Sequence, residues 1–197
     1  PNKETLVYLH GNAGNLSTRG RLIEVLANDE RGVLIFSWRG FGQSSGTASE
    51  QGFYTDADAV LTWLTQKGLP PESLILYAES LGTGVAVELA MEHEFKGVML
   101  AAPYLSVAQL AKDDYPWLPV DQLLKHRFDS VAKIHKVSEP LVVLHSTDDA
   151  VIPFEHGEAL YANANTPKRF MNFTDRQHTG FTLPDIDSAI EWINTHY

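Results

Sequence analysis

Apolar residues in this chain gather in short continuous runs, separated by stretches with helical spacing. Six runs rich in branched and aromatic side chains, at about Leu6–His10, Val33–Trp38, Leu74–Tyr77, Gly97–Ala101, Leu141–His145 and Lys168–Phe173, predict strands. Most are continuously apolar rather than alternating, as parallel strands covered on both faces are. Between the second and third, Phe53, Ala57, Val60, Leu61 and Leu64 recur at helical spacing. Asp56 and Asp58 fall on the early, water-facing side of that helix, where acidic groups suit the helix dipole. Further helices are expected near Arg19–Ala27, Leu81–Glu92, Glu155–Ala164 and Asp185–His196. This alternation implies right-handed crossovers and an α/β fold: a mainly parallel sheet of about six strands, flanked by helices on both faces. Ligands of such sheets bind beyond the carboxyl ends of the strands.

One connection departs from the pattern. The segment at about 104–139 contains the apolar, proline-interrupted stretch Tyr115-Pro116-Trp117-Leu118-Pro119-Val120. So long a connection reads as a small cap-like insertion. Trp117, Leu118 and Val120 are then either walls of an acyl pocket or residues packed onto the body.

Bulk properties narrow the choice of function. The 197 residues fit one domain spanning 1–197, without repeats or a linker. A net charge of −10 with scattered basic residues argues against nucleic acid as a partner. Cysteine is absent, which removes disulfides, thiolate metal sites and a cysteine nucleophile together. No apolar stretch reaches the roughly eighteen residues of a membrane span, so the chain as given reads as soluble. The chain opens at Pro1 and enters a strand almost at once, so an upstream segment, with any anchor or targeting signal, is expected to be missing.

The chemistry is carried by loops at strand ends. Ser80 lies in Tyr77-Ala78-Glu79-Ser80-Leu81-Gly82, between a strand and a helix. A corner of this kind strains its apex residue and lifts the hydroxyl above the sheet. Ala78 stands at the first glycine position of G-x-S-x-G. A serine hydroxyl needs a base oriented by a third group. Asp148 and Asp149 follow the fifth strand and His178 follows the sixth, so the chain order is serine, aspartate, histidine. After the first strand, Gly11 and Gly14 open a loop whose backbone N–H at Asn12, with Ala13 the runner-up, would join that of Leu81 as an oxyanion hole. The loop lacks the lysine and spacing of a phosphate-binding P-loop. His93, His126, His135, His156 and His196 show no metal-ligand spacing, and His10 and His145 are expected to hold loops by hydrogen bonds, so no metal is expected. Arg39 reads as a tie for the glycine-rich loop around it.

Taken together, His10-Gly11-Asn12-Ala13-Gly14-Asn15, Trp38-Arg39-Gly40-Phe41-Gly42-Gln43-Ser44-Ser45-Gly46, the Ser80 elbow with Gly82-Thr83-Gly84, Arg127-Phe128-Asp129-Ser130 and the Asp149 and His178 loops resemble the alpha/beta-hydrolase superfamily. Within it the chain resembles the small-cap serine hydrolases that include the bud-emergence proteins and protein depalmitoylases. The resemblance implies Ser80 as nucleophile, His178 as general base and acid, and Asp149, rather than Asp148, as the orienting carboxylate. It also implies two further strands, and often a membrane anchor, before the first motif. Ala78 and Ser146 stand where the family commonly has glycine.

The expected activity is cofactor-free hydrolysis of a carboxylic ester or thioester of a small or lipid-like acyl substrate, through an acyl-enzyme. Membrane contact would come only through a preceding segment or the cap. A thioesterase, lipase or amidase using the same three residues is one alternative. A non-catalytic binding protein on a hydrolase fold is the other. A dehalogenase would need aspartate at Ser80.

Overall fold

The computed structural model describes residues 4–13, 16–27 and 31–197. Six strands, β1 (Thr5–Leu9), β2 (Gly32–Ile35), β3 (Leu74–Glu79), β4 (Gly97–Ala101), β5 (Leu141–Ser146) and β6 (Lys168–Phe173), form one sheet in the order β2-β1-β3-β4-β5-β6. Every pairing is parallel. The central strands β3 and β4 are buried along their whole length. Burying one of their leucines or isoleucines is worth about 1.5–3 kcal/mol.

Alternate side chains of each strand enter two separate cores. Leu74, Leu76, Ala78, Val98, Leu100, Leu141 and Val143 pack with residues of α2 (Glu50–Gln66), α3 (Leu81–Glu92) and α6 (Phe154–Asn163). Ile75, Tyr77, Met99, Ala101, Val142 and Leu144 face α1 (Gly20–Leu26) and α7 (Leu183–Asn194). A strand with helices on both sides has no face left for polar residues, which explains the continuous apolar runs.

Helix ends are set locally. The Ser49 hydroxyl accepts the Gly52 N–H (3.1 Å) at the start of α2. The Ser106 hydroxyl does the same for Gln109 (2.9 Å) at the start of α4 (Val107–Asp114). The Asp185 carboxylate accepts the Thr182 N–H (2.7 Å) ahead of α7. Each removes one of the unpaired donors that every helix start exposes.

The chain order creates a crevice. From β1 the chain steps outward to β2, then crosses back over β1 to β3, so β1 and β3 are neighbours whose following loops diverge. A reversal of this kind leaves an opening above the carboxyl ends of the two strands. The loop after β1 and the corner at Ser80 both border it.

Two expectations need correction. The second strand ends at Ile35, not Trp38, because β2 is an edge strand whose ladder with β1 runs only from Gly32 to Ile35. The apolar run continues for packing rather than pairing: Trp38 is fully buried and its indole N–H donates to the His10 carbonyl (3.0 Å). Asp56 is not a free carboxylate on the helix surface. It accepts the Arg39 backbone N–H (2.9 Å) and pairs with its guanidinium (2.6 Å), fastening the glycine-rich loop to α2.

The segment at 104–139 holds α4 and α5 (Val120–Leu123) and returns to the body through Glu50. That carboxylate accepts the N–H groups of Arg127 (2.7 Å) and Phe128 (3.0 Å), while the Phe128 ring packs against Phe53 and Tyr54. His156 of α6 holds the other side, contacting Asp113 (2.8 Å) and the Leu105 N–H (3.3 Å).

A methyl group built on Gly82 would overlap the Leu9 carbonyl oxygen, a backbone atom that cannot swing aside. Gly82→Ala is therefore expected to lower stability by about 1–3 kcal/mol. Trp117→Ala, at a side chain 77% exposed, should change it by no more than about 0.5 kcal/mol. Urea denaturation checks both, and a Gly82→Ala protein as stable as its parent would contradict the packing described.

Candidate active site

Ser80 stands between β3 and α3 with φ 49° and ψ −121°, a conformation L-residues rarely adopt. The surroundings hold it there. Its N–H donates to the Ala101 carbonyl (2.9 Å), and its own carbonyl accepts from the Thr83 N–H (2.9 Å) and hydroxyl (2.6 Å). Small neighbours make room: Gly82 lies against the Leu9 carbonyl and Gly84 against the Tyr104 hydroxyl. Ala78 is tolerated where glycine is common because its methyl group turns into the core with Val85 and Ala86.

Beside Ser80 runs the loop after β1. A Cβ on Gly11 would stand 3.1 Å from Ser80 Cβ and 3.7 Å from its Oγ, so the bare backbone passes directly over the hydroxyl. His10, fully buried, contacts the Gly11 carbonyl through Nδ1 (2.7 Å) and the Trp38 N–H through Nε2 (3.5 Å). Those partners require a neutral ring with the proton on Nδ1, in line with burial lowering the pKa of His10. A trans peptide points its N–H opposite its C=O. Fixing the Gly11 carbonyl therefore fixes the direction of the Asn12 N–H. Asn12 and Ala13 are exposed at the loop surface, and Gly14 and Asn15 lie outside the described residues. Leu81 is the first residue of α3, where a backbone N–H has no acceptor within its own helix.

The acid and histidine loops meet across the ends of β5 and β6. His178 Nδ1 lies 2.9 Å from Asp149 Oδ2 and 3.1 Å from Oδ1. The Asp149 side chain is fully buried, whereas His178 keeps 22% exposure. Burial alone would push the Asp149 carboxyl up. Hydrogen bonds from His145, His178 and the N–H groups of Ile152 (2.9 Å) and Val151 (2.8 Å) outweigh it and hold the group well below the usual carboxylate range.

His145, expected only to hold a loop, thus contacts the carboxylate itself. Its Nε2 lies 3.3 Å from Asp149 Oδ2 and 3.1 Å from the Ile152 carbonyl, both acceptors, so Nε2 carries the proton. Among the described residues Nδ1 has no hydrogen-bond partner, and it faces Gly157. Asp148 does something different: it accepts from the Ser146 hydroxyl (2.5 Å) and the Gln177 N–H (3.1 Å), tying the two loops together. The Ser146 hydroxyl also accepts the Arg176 N–H (3.2 Å), a bond that glycine at this position would not make.

The three side chains are not all joined. Among the described residues, Ser80 and His178 make no hydrogen bond with each other; the histidine is fastened through Nδ1 alone. Contacts of this type often tighten only with substrate in place.

Of the cap residues expected as pocket walls, Trp117 is 77% exposed with its ring edge-on to Tyr115, Leu118 is half-buried and Val120 is buried. Trp117 lies in a segment bounded by Pro116 and Pro119. At the far end of α3, Asp58, Glu92 and His93 bring one donor atom each within 4.8 Å of one another. This grouping spans two helices, out of reach of spacing rules within one segment, and exposed acidic groups of this kind are common without a metal.

A buried charged cluster beneath the crevice was not anticipated from the sequence. Glu79, the residue before Ser80, accepts from the Tyr8 hydroxyl and pairs with Arg19 (3.2 Å); Arg19 also donates to the Tyr8 oxygen (2.7 Å) and the Ala13 carbonyl (2.9 Å). Burial pushes the Glu79 carboxyl up, opposed by Tyr8 and Arg19. An opposite charge just beyond the glycine loop was the available signal.

Comparison with known proteins agrees with this architecture. The family model for the alpha/beta hydrolase fold matches residues 4–133. An uncharacterised Mycobacterium tuberculosis protein is 37% identical over 167 residues, covering 84% of this chain and 59% of the relative. Alpha/beta hydrolase domain-containing protein 17B of Xenopus laevis is 34% identical over 167 residues, covering 84% of this chain and 57% of the relative. The chain thus spans less than two thirds of the length of these relatives. Among solved structures, the monoacylglycerol lipase of Paleococcus ferrophilus superposes with a TM-score of 0.73 at 21% identity, covering 100% of this chain and 96% of that one. At such identity the likeness is one of fold. With the crevice at the β1–β3 reversal and the family model matched across the first four strands, the chain belongs to the alpha/beta hydrolase family.

Proposed function

We propose that this protein is a serine hydrolase that cleaves carboxylic esters or thioesters through an acyl-enzyme. The observations that support the reading are the strained Ser80 corner at the carboxyl end of β3, with the Gly11 backbone passing over the hydroxyl, and the Asp149–His178 pair at the carboxyl ends of β5 and β6 of the same sheet. Ser80 Oγ adds to the substrate carbonyl as its proton passes to His178 Nε2. The carbonyl oxygen takes up negative charge and is met by the N–H groups of Leu81 and Asn12; donors of this kind are typically worth about 3–4 kcal/mol. The carbon–oxygen or carbon–sulfur bond then breaks, and His178 returns the proton to the departing alcohol or thiol. Water, deprotonated by the same imidazole, releases the carboxylic acid and restores Ser80.

Asp149 holds the ring with Nε2 toward the nucleophile and stabilises the imidazolium that forms. Its ionised state suits that task. The chemistry requires only side chains and backbone, so the reading includes no cofactor. That structural neighbours include a monoacylglycerol lipase and an acetyl xylan esterase supports ester substrates.

Loss of a serine nucleophile in a hydrolase of another fold lowered turnover by about a millionfold. Ser80→Ala is accordingly expected to abolish hydrolysis of p-nitrophenyl acetate while remaining folded; retention of most of the activity would overturn the assignment. A second expectation concerns acid stability. Because the Asp149 pKa is depressed on folding, its contribution is fully present above the unfolded value of about 3.9 and is lost as pH falls below it. The stability advantage of the parent over Asp149→Asn should be constant at pH 6–7 and shrink below about pH 4. Denaturant titrations at pH 7 and pH 3 read this directly, and an equal difference at both would contradict the buried, hydrogen-bonded carboxylate.

A further inference from the structure

The cluster under the crevice takes no part in proton transfer, yet it joins the two halves of the site. Glu79 belongs to the strand end that carries Ser80, and its side chain is 5% exposed. Arg19, 15% exposed, ends the helical turn that follows the glycine loop. One guanidinium nitrogen contacts the Tyr8 oxygen (2.7 Å) and Glu79 Oε2 (3.2 Å), while the other donates to the Ala13 carbonyl (2.9 Å). A single planar group therefore spans from the serine's strand to the loop that bears the oxyanion donor Asn12.

Three physical points give this bridge a purpose. Glycine makes the loop costly to order, and a donor helps a developing oxyanion only when fixed within about half an ångström. His10 restrains the first peptide of the loop through the Gly11 carbonyl, but Ala13 lies beyond its reach and is exposed. Finally, a buried arginine–glutamate pair is a poor device for stability alone, because apolar replacements of similar volume often serve as well or better.

We propose that Arg19 is a positioning residue of the hydrolase: anchored on Glu79 and Tyr8, it holds the Asn12–Ala13 loop at the distance from Ser80 at which its N–H groups stabilise the transition state. The inference rests on the acyl-transfer reading above. Arg19 touches no reacting atom, and its effect is transmitted through the Ala13 carbonyl.

The test compares the full chain with Arg19→Met, Arg19→Lys, the double variant Arg19→Met/Glu79→Gln, and Ser80→Ala. The double variant removes both charges and avoids stranding a buried carboxylate. Readouts are kcat and KM for p-nitrophenyl acetate, thermal midpoint, and affinity for an aryl trifluoromethyl ketone, whose adduct with serine places an oxyanion in the hole. Arg19→Met and the double variant are expected to lose about 10- to 100-fold in kcat with KM within about threefold. Ketone affinity should weaken by a comparable factor, and Arg19→Lys should recover part of both. A folded double variant with parental kcat would overturn the proposal, as would a fall in kcat with ketone affinity intact. Failure of the double variant to fold would also overturn it, by assigning the cluster to stability. Activity surviving in Ser80→Ala would instead sink the acyl-transfer reading, so the two failures are distinguishable.

Discussion

Everything at the crevice depends on one strained backbone turn. With φ at 49°, Ser80 is held in a conformation it would not choose, by the bond from its N–H to Ala101 and by the close passage of Gly82 under the Leu9 carbonyl. That passage presses β1 and β3 together at their carboxyl ends. It also brings the Gly11 backbone over the hydroxyl and starts α3 with its unpaired N–H groups beneath the same space. A bulkier residue at any of these contacts would have to move a strand of the central sheet, and cores at crystal-like density resist such movement.

Two buried carboxylates at strand ends of the sheet, Glu79 at the end of β3 and Asp149 after β5, are handled in opposite ways. Asp149 is surrounded by donors: two imidazoles and two backbone N–H groups. Its negative charge is therefore stabilised despite complete burial of the side chain, and the histidine it holds stays 22% exposed. Glu79 has fewer donors, and desolvation pushes its proton affinity upward. The first arrangement suits a permanent charge that orients a base. The second suits a structural clamp in which a cation, a phenol and a carboxyl share one pocket.

The strand pattern was legible because a doubly covered parallel sheet leaves its mark on every residue of a strand. All six strands stand where apolar runs predict them, and the elbow at Ser80 was recognisable because strain demands small neighbours at fixed offsets. The order of the serine, aspartate and histidine loops followed from placing each after its strand. What escaped was contact between distant segments. The Arg19–Glu79 pair joins residues 60 positions apart, and no periodicity announces it. The boundary of β2 was missed because packing, not pairing, accounts for the apolar Phe36 and Trp38. Asp56 looked like a solvated helix residue because its partner Arg39 lies on a different loop. The exposure of Trp117 was hidden for a related reason: hydropathy alone does not tell a side chain that packs from one that stands in water.

The central claim is that Ser80 is activated by the His178–Asp149 pair, and fluorophosphonate labelling mapped by mass spectrometry examines it most directly. The expected result is one adduct, on the peptide containing Ser80, formed rapidly in the parent and slowed by orders of magnitude in His178→Ala. Labelling of Ser80 at the parental rate in that variant, or rapid labelling of another residue in its place, would contradict it.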